Sequence, residues 1–404
     1  MDYTQELITT IHDYSHSEAV LEPLVCELSQ DQATAVLIPA LFDELQRPAL
    51  QGIKDQISRC TGFVHQVVVC LYANSKNDYQ EAVKFFGQLP QPTLVIWENG
   101  PRVKDYLMQL QAKGLDFQSF RGKGLAVWLA LGVASIEADL IVLHDADITS
   151  YSKSYLIKLL YPLLEREFGL AFTKAYYARL GGDPLQMYGR VVRLFVTPLL
   201  TTLNDLFGYH QYLRYLMAYR YPLSGEFALR RDLALNVRVP CNWGLEIAFL
   251  AEVYRNVALK RIAQVDLGVF EHKHQAVGHS PQEGLRKMCH DVLRSLLRTF
   301  TELEQVVLTP DHIRTLQVKY RRIAQDLIQQ FAIDSRCNGF AYNRHLEEQT
   351  VEQFEQLIPP AGKEYFMDPS GLQIPTWNRV MAVVPTVQND LKSLVLADMR
   401  QAQS

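Results

Sequence analysis

The sequence has no long hydrophobic run. The longest candidate, Val191 to Leu206, is broken by Arg193, Pro198 and Asn204, and it falls short of the roughly 18 apolar residues that cross a bilayer. Cysteine pairing is missing as well. Cys26, Cys60, Cys70, Cys241, Cys289 and Cys337 are scattered with no CxxC pair, which argues against a zinc knuckle or a disulfide framework and fits a reducing cytoplasm. The first residues, Met1 to Glu6, lack a basic region followed by an apolar one, so no secretory signal is expected. Neither sign of charge dominates: 40 Lys and Arg face 44 Asp and Glu, a net charge of -4. A broad basic surface for nucleic acid is thereby excluded, whereas local phosphate sites stay open. No Gly-x-Gly-x-x-Gly follows the first apolar strand, against a dinucleotide fold of the dehydrogenase type. Internal repeats and low-complexity tracts are also absent.

What is present is enough chain, 404 residues, for about two domains or one large domain with an appendage. Its organising stretch is Asp139 to Ile148. Leu140 to Leu143 reads as a buried strand, and it runs into two carboxylates, Asp145 and Asp147, one residue apart. With a period of two, both point the same way and can face one cation past the strand's carboxyl edge, where open α/β sheets place their ligands. An acidic pair also suits a surface turn.

Upstream, residues 1 to about 30 read as an irregular or helical lead-in, with His12 and His16 on no clear face. Thr34 begins a buried strand that Pro39 is expected to stop, followed by a helix to about Arg59 with Asp43 and Glu44 in its first turn. Further strands are expected over Val64 to Tyr72 and Thr93 to Trp97, with Ala73 to Asp78 as a loop and Glu98 to Pro101 as a turn. Gly122, Lys123 and Gly124 open a helix where backbone N–H groups and one ammonium can meet a phosphate, although a flexible turn also explains them. Strands alternating with helices argue for a mostly parallel sheet covered on both faces.

Past Ile148 the pattern becomes less regular, with a helix near Lys153 to Glu165 and a strand over Gly169 to Tyr177. Gly189 and Arg190 stand at the start of an apolar helix, placed to grip a phosphate or carboxylate or to pair locally. Glu246, in a helix's first turn, either caps that helix or faces a cleft. Ile262 to His274 reads as a strand ending in ionisable groups, His272 among them. From Pro281 to about Gln330 the chain is amphipathic, with Leu285, Met288, Val292, Leu296 and Phe300 at helical spacing. Such a stripe suits packing or a subunit contact. A proline and glycine cluster, Pro359 to Gly362, is expected to separate helices near Val351 to Leu357 and Val387 to Met399.

In their order, Ile38 to Glu44, Gly122-Lys123-Gly124, Asp145-Ala146-Asp147, Gly189-Arg190-Val191, Pro222 to Glu226, Gly244-Leu245-Glu246 and Gln264 to His272 resemble a known family. It is that of the retaining glycosyltransferases of the glucosyl-3-phosphoglycerate and mannosyl-3-phosphoglycerate synthase type. The resemblance covers roughly residues 34 to 300 and implies a GT-A fold: a mixed, mostly parallel nucleotide-binding sheet flanked by helices. The expected layout is a lead-in at 1–30, a GT-A domain at 31–280 with nucleotide-binding (31–150) and acceptor-binding (151–280) halves, and a helical extension at 281–404.

The resemblance further implies that Pro39, Ala40, Leu41, Glu44 and Ser75 hold the nucleotide, with Lys123, Asp145 and Ala146 beside its ribose and diphosphate. Leu223, Glu226 and Glu246 would line the sugar pocket, and Gly189, Arg190 and Val191 the acceptor site. Asp147 and His272, with Asp145, would be the ligands of Mg²⁺ or Mn²⁺, and Asp147, Glu226 and Lys123 the catalytic set. No protein nucleophile is expected, because the family's retention implies attack from the face that the diphosphate leaves. The expected reaction moves glucose from UDP-glucose to 3-phosphoglycerate in a cytoplasmic homodimer without nucleic-acid partners. Two rivals remain: a transferase using mannose or an acceptor such as glycerate, and a sugar-nucleotide-binding protein without turnover. The sequence departs from the family in the loop after Tyr72 and at Asp183 to Tyr188, where a glycine run is interrupted.

Overall fold

The structure, a computed structural model, describes residues 4–12, 16–117, 119–271 and 283–404. Its strands in chain order are β1 (Thr9–Ile11), β2 (Thr34–Leu41), β3 (Gln66–Tyr72), β4 (Thr93–Trp97), β5 (Leu140–Leu143), β6 (Phe172–Gly181), β7 (Gln186–Met187), β8 (Phe227–Arg230), β9 (Val239–Pro240), β10 (Ile262–Phe270) and β11 (Gln373–Ile374). Nine of them form one sheet in the order β1-β10-β6-β8-β5-β2-β3-β4, with β7 paired to β6. β5, β2, β3 and β4 run parallel, as do β1, β10 and β6. Between these two blocks lies β8, antiparallel to both neighbours. The sheet is therefore mixed and mostly parallel, as expected, and β2, β3 and β5 are nearly continuous buried apolar runs because helices cover both faces.

The reversal at β8 decides where the site forms. Leu143, the last residue of β5, pairs with Phe227, the first of β8. The outgoing end of one strand therefore meets the incoming end of the other, which brings Asp145 and Asp147 to the same edge as Gly225 and Glu226. Asp145 and Asp147 lie beyond the strand, not on it.

Several local expectations are corrected. Pro39 does not stop β2, which continues to Leu41 with Pro39 opposite Cys70 of β3. Leu37 O accepts from His144 N at 3.3 Å, so Leu37 and, two residues on, Pro39 turn their backbones toward β5. That ladder ends at Leu37, and the missing proline N–H falls where no strand would use it. After β2 comes one 3-10 turn, Phe42–Glu44, and the helix proper is only Pro48–Ile57. The lead-in contributes β1, an edge strand on β10, as well as the Glu18–Leu28 helix. The loop after Tyr72 ends early, because Ser75 caps a Lys76–Phe86 helix that its Asp78 closes as a capping box. Downstream, β6 is displaced toward its carboxyl end and forms a hairpin with β7 across the Asp183 to Tyr188 segment.

The C-terminal residues are helical, though not as one stripe. A Gly284–Glu304 helix ends at Gln305 and is followed by Pro310–Cys337, Arg344–Glu355, Ile358–Met367, Trp377–Val383 and Val387–Gln403. The Pro359 to Gly362 cluster lies inside a helix. Its prolines fall in the first turn, where N–H groups have no intrahelical acceptor, and a Cβ on Gly362 would come 2.8 Å from Ile313 Cγ2. The last helix closes the far edge of the sheet: Val95 N of β4 donates to Met399 Sδ at 3.3 Å, Tyr106 OH donates to Asp390, and Lys392 pairs with Glu137. An unpaired edge is thereby covered. Among the described residues, no helix is long and apolar enough to cross a membrane.

One aromatic pair docks this tail onto the helix that begins at Lys123. The rings of Trp128 and Trp377 stack at 4.0 Å, Trp377 Nε1 donates to Trp128 O at 2.8 Å, and Trp128 Nε1 donates to Pro375 O at 2.8 Å. A Cβ on Gly132 would overlap the Trp377 ring. Trp377→Ala is expected to cost about 3–5 kcal/mol, as for a large buried aromatic. Urea denaturation followed by circular dichroism measures it, and a loss under about 1 kcal/mol would show that the tail does not depend on this contact.

Candidate active site

At the carboxyl edge of β2 and β5 opens a cavity of about 490 Å³. Pro39, Ala40, Leu41 and Glu44 line it from the end of β2, Lys123 from its helix, and Asp145, Ala146 and Asp147 from the loop after β5. Leu223, Glu226 and Glu246 come from around β8, and Gly189, Arg190 and Val191 from the helix start after β7. Two expected residues are not in this lining. Ser75 is an N-cap whose Oγ accepts from Asp78 N at 3.1 Å. His272 lies outside the described residues.

The centre of the acidic end is Lys123. Its Nζ lies 2.7 Å from Asp145 Oδ1 and 3.2 Å from Glu246 Oε1. Burial works to strip its proton, but Asp145 and Glu246 more than offset this and raise its pKa, so the ammonium is fixed. Glu246 thus faces the cleft. Gly122 precedes Lys123 with φ +76°, a conformation for which glycine is suited, and its N donates to Glu98 at 3.2 Å. Gly225 has no room for a side chain: a Cβ would lie 2.5 Å from Asp145 Oδ2.

One ammonium does not balance what surrounds it. Six carboxylates, those of Glu44, Glu98, Asp145, Asp147, Glu226 and Glu246, line the cavity. Burial, then the charge of Asp145, pushes Asp147 up to about 6. Burial, followed by Asp147 and Asp145 in effect on its charge, pushes Glu44 up to about 7 despite the stabilising N–H of Leu41. Crowded, partly desolvated carboxylate oxygens fit a hard divalent ion such as Mg²⁺ or Mn²⁺. Asp145 and Asp147 could hold it, although among the described residues no three His, Cys, Asp or Glu side chains converge as a ready metal site. Glu226 is 1% exposed and accepts from Tyr177 OH at 2.9 Å; burial and Asp145 raise it to about 7.

Basic residues share the lining. Gly189, at φ +75°, turns the chain so that Arg190 begins the next helix, and a Cβ at 189 would come 3.0 Å from Tyr221 OH. Arg193 is taken by Glu347 at 2.5 Å, whereas Arg190 has no carboxylate within ion-pair distance among the described residues. Arg179 donates to Tyr221 OH at 3.1 Å, and Lys287 pairs with Asp291 at 3.0 Å. One cavity is thus lined both by crowded carboxylates and by the cations of Lys123, Arg179, Arg190 and Lys287.

Sequence reasoning missed several of these groups. Tyr177 and Arg179 share one face of β6 by period two, a signal hidden by ending that strand at residue 177. Leu285 and Met288 were expected as packing or a subunit contact, yet with Lys287 they line the cavity. Glu98 was expected only as part of a turn. Beneath the floor, Lys174 is 2% exposed and donates from Nζ to Ser224 O at 2.6 Å. Burial lowers it to about 8, and its hydrogen bond holds the turn that presents Glu226.

These carboxyls make a pH prediction for the metal-free protein. Burial raises Glu98 from an ordinary 4.5 to about 7, the N–H of Gly122 opposing. Between those values the folded protein holds a proton that the unfolded chain has released, so stability falls as pH rises through the window. Glu98→Gln, which keeps an acceptor for Gly122, is expected to recover on the order of 1–3 kcal/mol at about pH 8 and little at about pH 5. Thermal melts across pH read this, and an equal gain at both ends would refute it.

No protein-family model matches the chain. Curated relatives do. The glucosyl-3-phosphoglycerate synthase of Methanococcoides burtonii is 42% identical over 401 residues, 99% of each chain. That of Persephonella marina is 35% identical over 399 residues, 97% of each. Among solved structures, the Mycobacterium tuberculosis glucosyl-3-phosphoglycerate synthase with Mg²⁺ and UDP aligns at TM-score 0.53 and 26% identity, covering 73% of this chain and 87% of that one. The same enzyme with Mn²⁺, UDP and phosphoglyceric acid aligns at TM-score 0.52 and 25% identity, covering 72% and 86%. With near-complete coverage by two named relatives at 42% and 35% identity, the chain belongs to the glucosyl-3-phosphoglycerate synthase family of glycosyltransferases.

Proposed function

We propose that the chain transfers glucose from UDP-glucose to 3-phosphoglycerate, with retention at the anomeric carbon and dependence on Mg²⁺ or Mn²⁺. The observation that carries this reading is that one cavity gathers crowded carboxylates together with an arginine that no described carboxylate pairs. The carboxylates suit a metal-bound diphosphate, and Arg190, with no ion pair among the described residues, suits an anionic acceptor. The relatives' names supply glucose and 3-phosphoglycerate, and the M. tuberculosis complexes supply UDP and the metals.

In this reading Asp145 and Asp147 hold the cation, with His272 as a further ligand. When bound, the ion supplies Lewis-acid charge to the oxygens of the departing diphosphate. Lys123 stands beside them with a permanent charge and no reorganisation to pay at the moment of reaction. Pro39, Ala40 and Leu41 offer the nucleotide the backbone and apolar surface at the end of β2, and Glu44 its carboxyl. Glu226, braced by Tyr177, presents its other oxygen to sugar hydroxyls, and with its pKa near neutrality it can accept or donate there. Glu246, held by Lys123, lines the same pocket.

Arg190 takes the acceptor's phosphate as a bidentate pair, aided by the free N–H groups at the helix start. The acceptor hydroxyl then attacks the anomeric carbon on the face that UDP leaves. One carbon–oxygen bond forms as another breaks, and the proton passes to an oxygen of the departing phosphate. No protein nucleophile is required.

The test is product formation. Purified protein with Mg²⁺ or Mn²⁺ is given UDP-, ADP- and GDP-linked glucose and mannose, crossed against 3-phosphoglycerate, glycerate and glycerol 3-phosphate, with mass-spectrometric readout. Glucosyl-3-phosphoglycerate from UDP-glucose is expected. Metal-dependent nucleotide binding without any glycoside would instead identify a binding protein, and a mannosyl product would reassign the donor.

Arg190→Ala separates binding from chemistry. It is expected to raise the acceptor KM about tenfold or more with a smaller change in kcat, as loss of a charge-assisted pair implies. An unchanged acceptor KM would remove Arg190 from the acceptor site.

A further inference from the structure

A second cavity, of about 690 Å³, opens where the C-terminal tail meets the sheet domain. It is separate from the first. The Gly284–Glu304 helix touches both, Met288 lining one and Arg298 the other, and ten residues of helix place them about 15 Å apart.

Arg298 is the key to its wall. It is 9% exposed, and its guanidinium meets only neutral oxygens. Nη1 donates to Ser370 O at 3.5 Å, and the Gln373 amide, turned with its oxygen inward, accepts from Nη1 and Nη2 at 2.7 and 3.0 Å. Nε is buried with no hydrogen-bond partner. No carboxylate lies within ion-pair distance of Arg298 among the described residues. A desolvated cation without a counter-charge is costly, and an oxyanion delivered to it offsets that cost.

Nearby acids supply only part of the counter-charge: burial, the largest effect, lowers the Arg298 pKa, while Glu302 and Glu252 favour its charge without an ion pair to it. Glu302, one turn further along the helix, is held by Arg238 at 3.1 Å and Arg255 at 2.8 Å, and those arginines also pair with Glu252. Two arginines and two glutamates balance one another, leaving Arg298. On the rim, Arg379 is exposed and has no ion pair among the described residues. Asp116 is the other acid on the wall, so three arginines face two carboxylates and the lining retains one positive charge in excess. Thr301 and Tyr365 add a hydroxyl pair 2.7 Å apart that can accept or donate to a polar ligand.

We propose that this cavity binds a small organic oxyanion, a phosphate or a carboxylate on a polar body, seated between Arg298 and Arg379. The inference is independent of the reading of the first cavity.

Inorganic phosphate and malonate serve as the two probes. Each is titrated calorimetrically into the full chain, and crystals are soaked in tungstate as an anomalous phosphate mimic. The expected result is a tungstate peak between Arg298 and Arg379, with at least about tenfold weaker probe binding in Arg298→Gln and in Arg379→Gln but not in Arg190→Ala. The tighter of the two probes tells phosphate from carboxylate. No peak in this cavity overturns the proposal. So does a peak accompanied by solution affinities in Arg379→Gln equal to those of the unmodified protein, which would mean an adventitious ion only. Should Arg298→Gln fail to fold, Arg379→Gln, at an exposed position, decides alone.

Discussion

A single ammonium, Lys123, holds the acidic end of the cavity together. It draws Asp145 and Glu246 to within hydrogen-bonding reach, and Glu226 lies close enough to raise its pKa further. Everything around it keeps that arrangement in place. Gly122 allows the backbone turn into the helix, Gly225 leaves the space that the Asp145 carboxylate fills, and buried Lys174 ties down the turn before Glu226. Because one lysine serves so many carboxylates, the site is held in register yet left short of positive charge. That shortage is what the proposed divalent ion would meet.

The antiparallel strand β8 is the topological condition for this. In a wholly parallel sheet the segment before a strand emerges at the edge opposite to the ligand. By reversing β8 between β5 and β6, the fold delivers Gly225 and Glu226 to the edge where Asp145 and Asp147 arrive. The tail completes the enclosure. Its first helix supplies Leu285, Lys287 and Met288 to the cavity wall, and its last helix covers the β4 edge, so the two ends of one extension finish the site and the sheet.

The parts legible in the sequence were those set by local rules. The buried run before Asp145 and the glycines around Lys123 were readable from residue type and spacing, whereas Pro39, Ala40, Leu41, Glu44, Leu223 and Glu226 were expected in the lining only because the order of the motifs resembles a known family. What was hidden depends on non-local partners. Pro39 read as a stop because the sequence does not reveal that β5 ends beside it. Pro359 to Gly362 read as a break because the helix that Gly362 packs against, at Ile313, lies nearly fifty residues away. Lys174 and Glu98 carry no local signature; each matters through a backbone group far along the chain, Ser224 O and Gly122 N.

The central claim is that these crowded carboxylates, whose pKa values burial and one another raise, form a site for a divalent cation. Calorimetric titration of Mn²⁺ at about pH 6.5, repeated in two buffers of different ionisation enthalpy, reads it directly, because metal binding to a protonated site releases protons. The expected result is a buffer-dependent heat that reports on the order of one proton released per Mn²⁺, lost in Asp147→Asn. Saturable binding whose heat is the same in both buffers, or binding unchanged in Asp147→Asn, would contradict it.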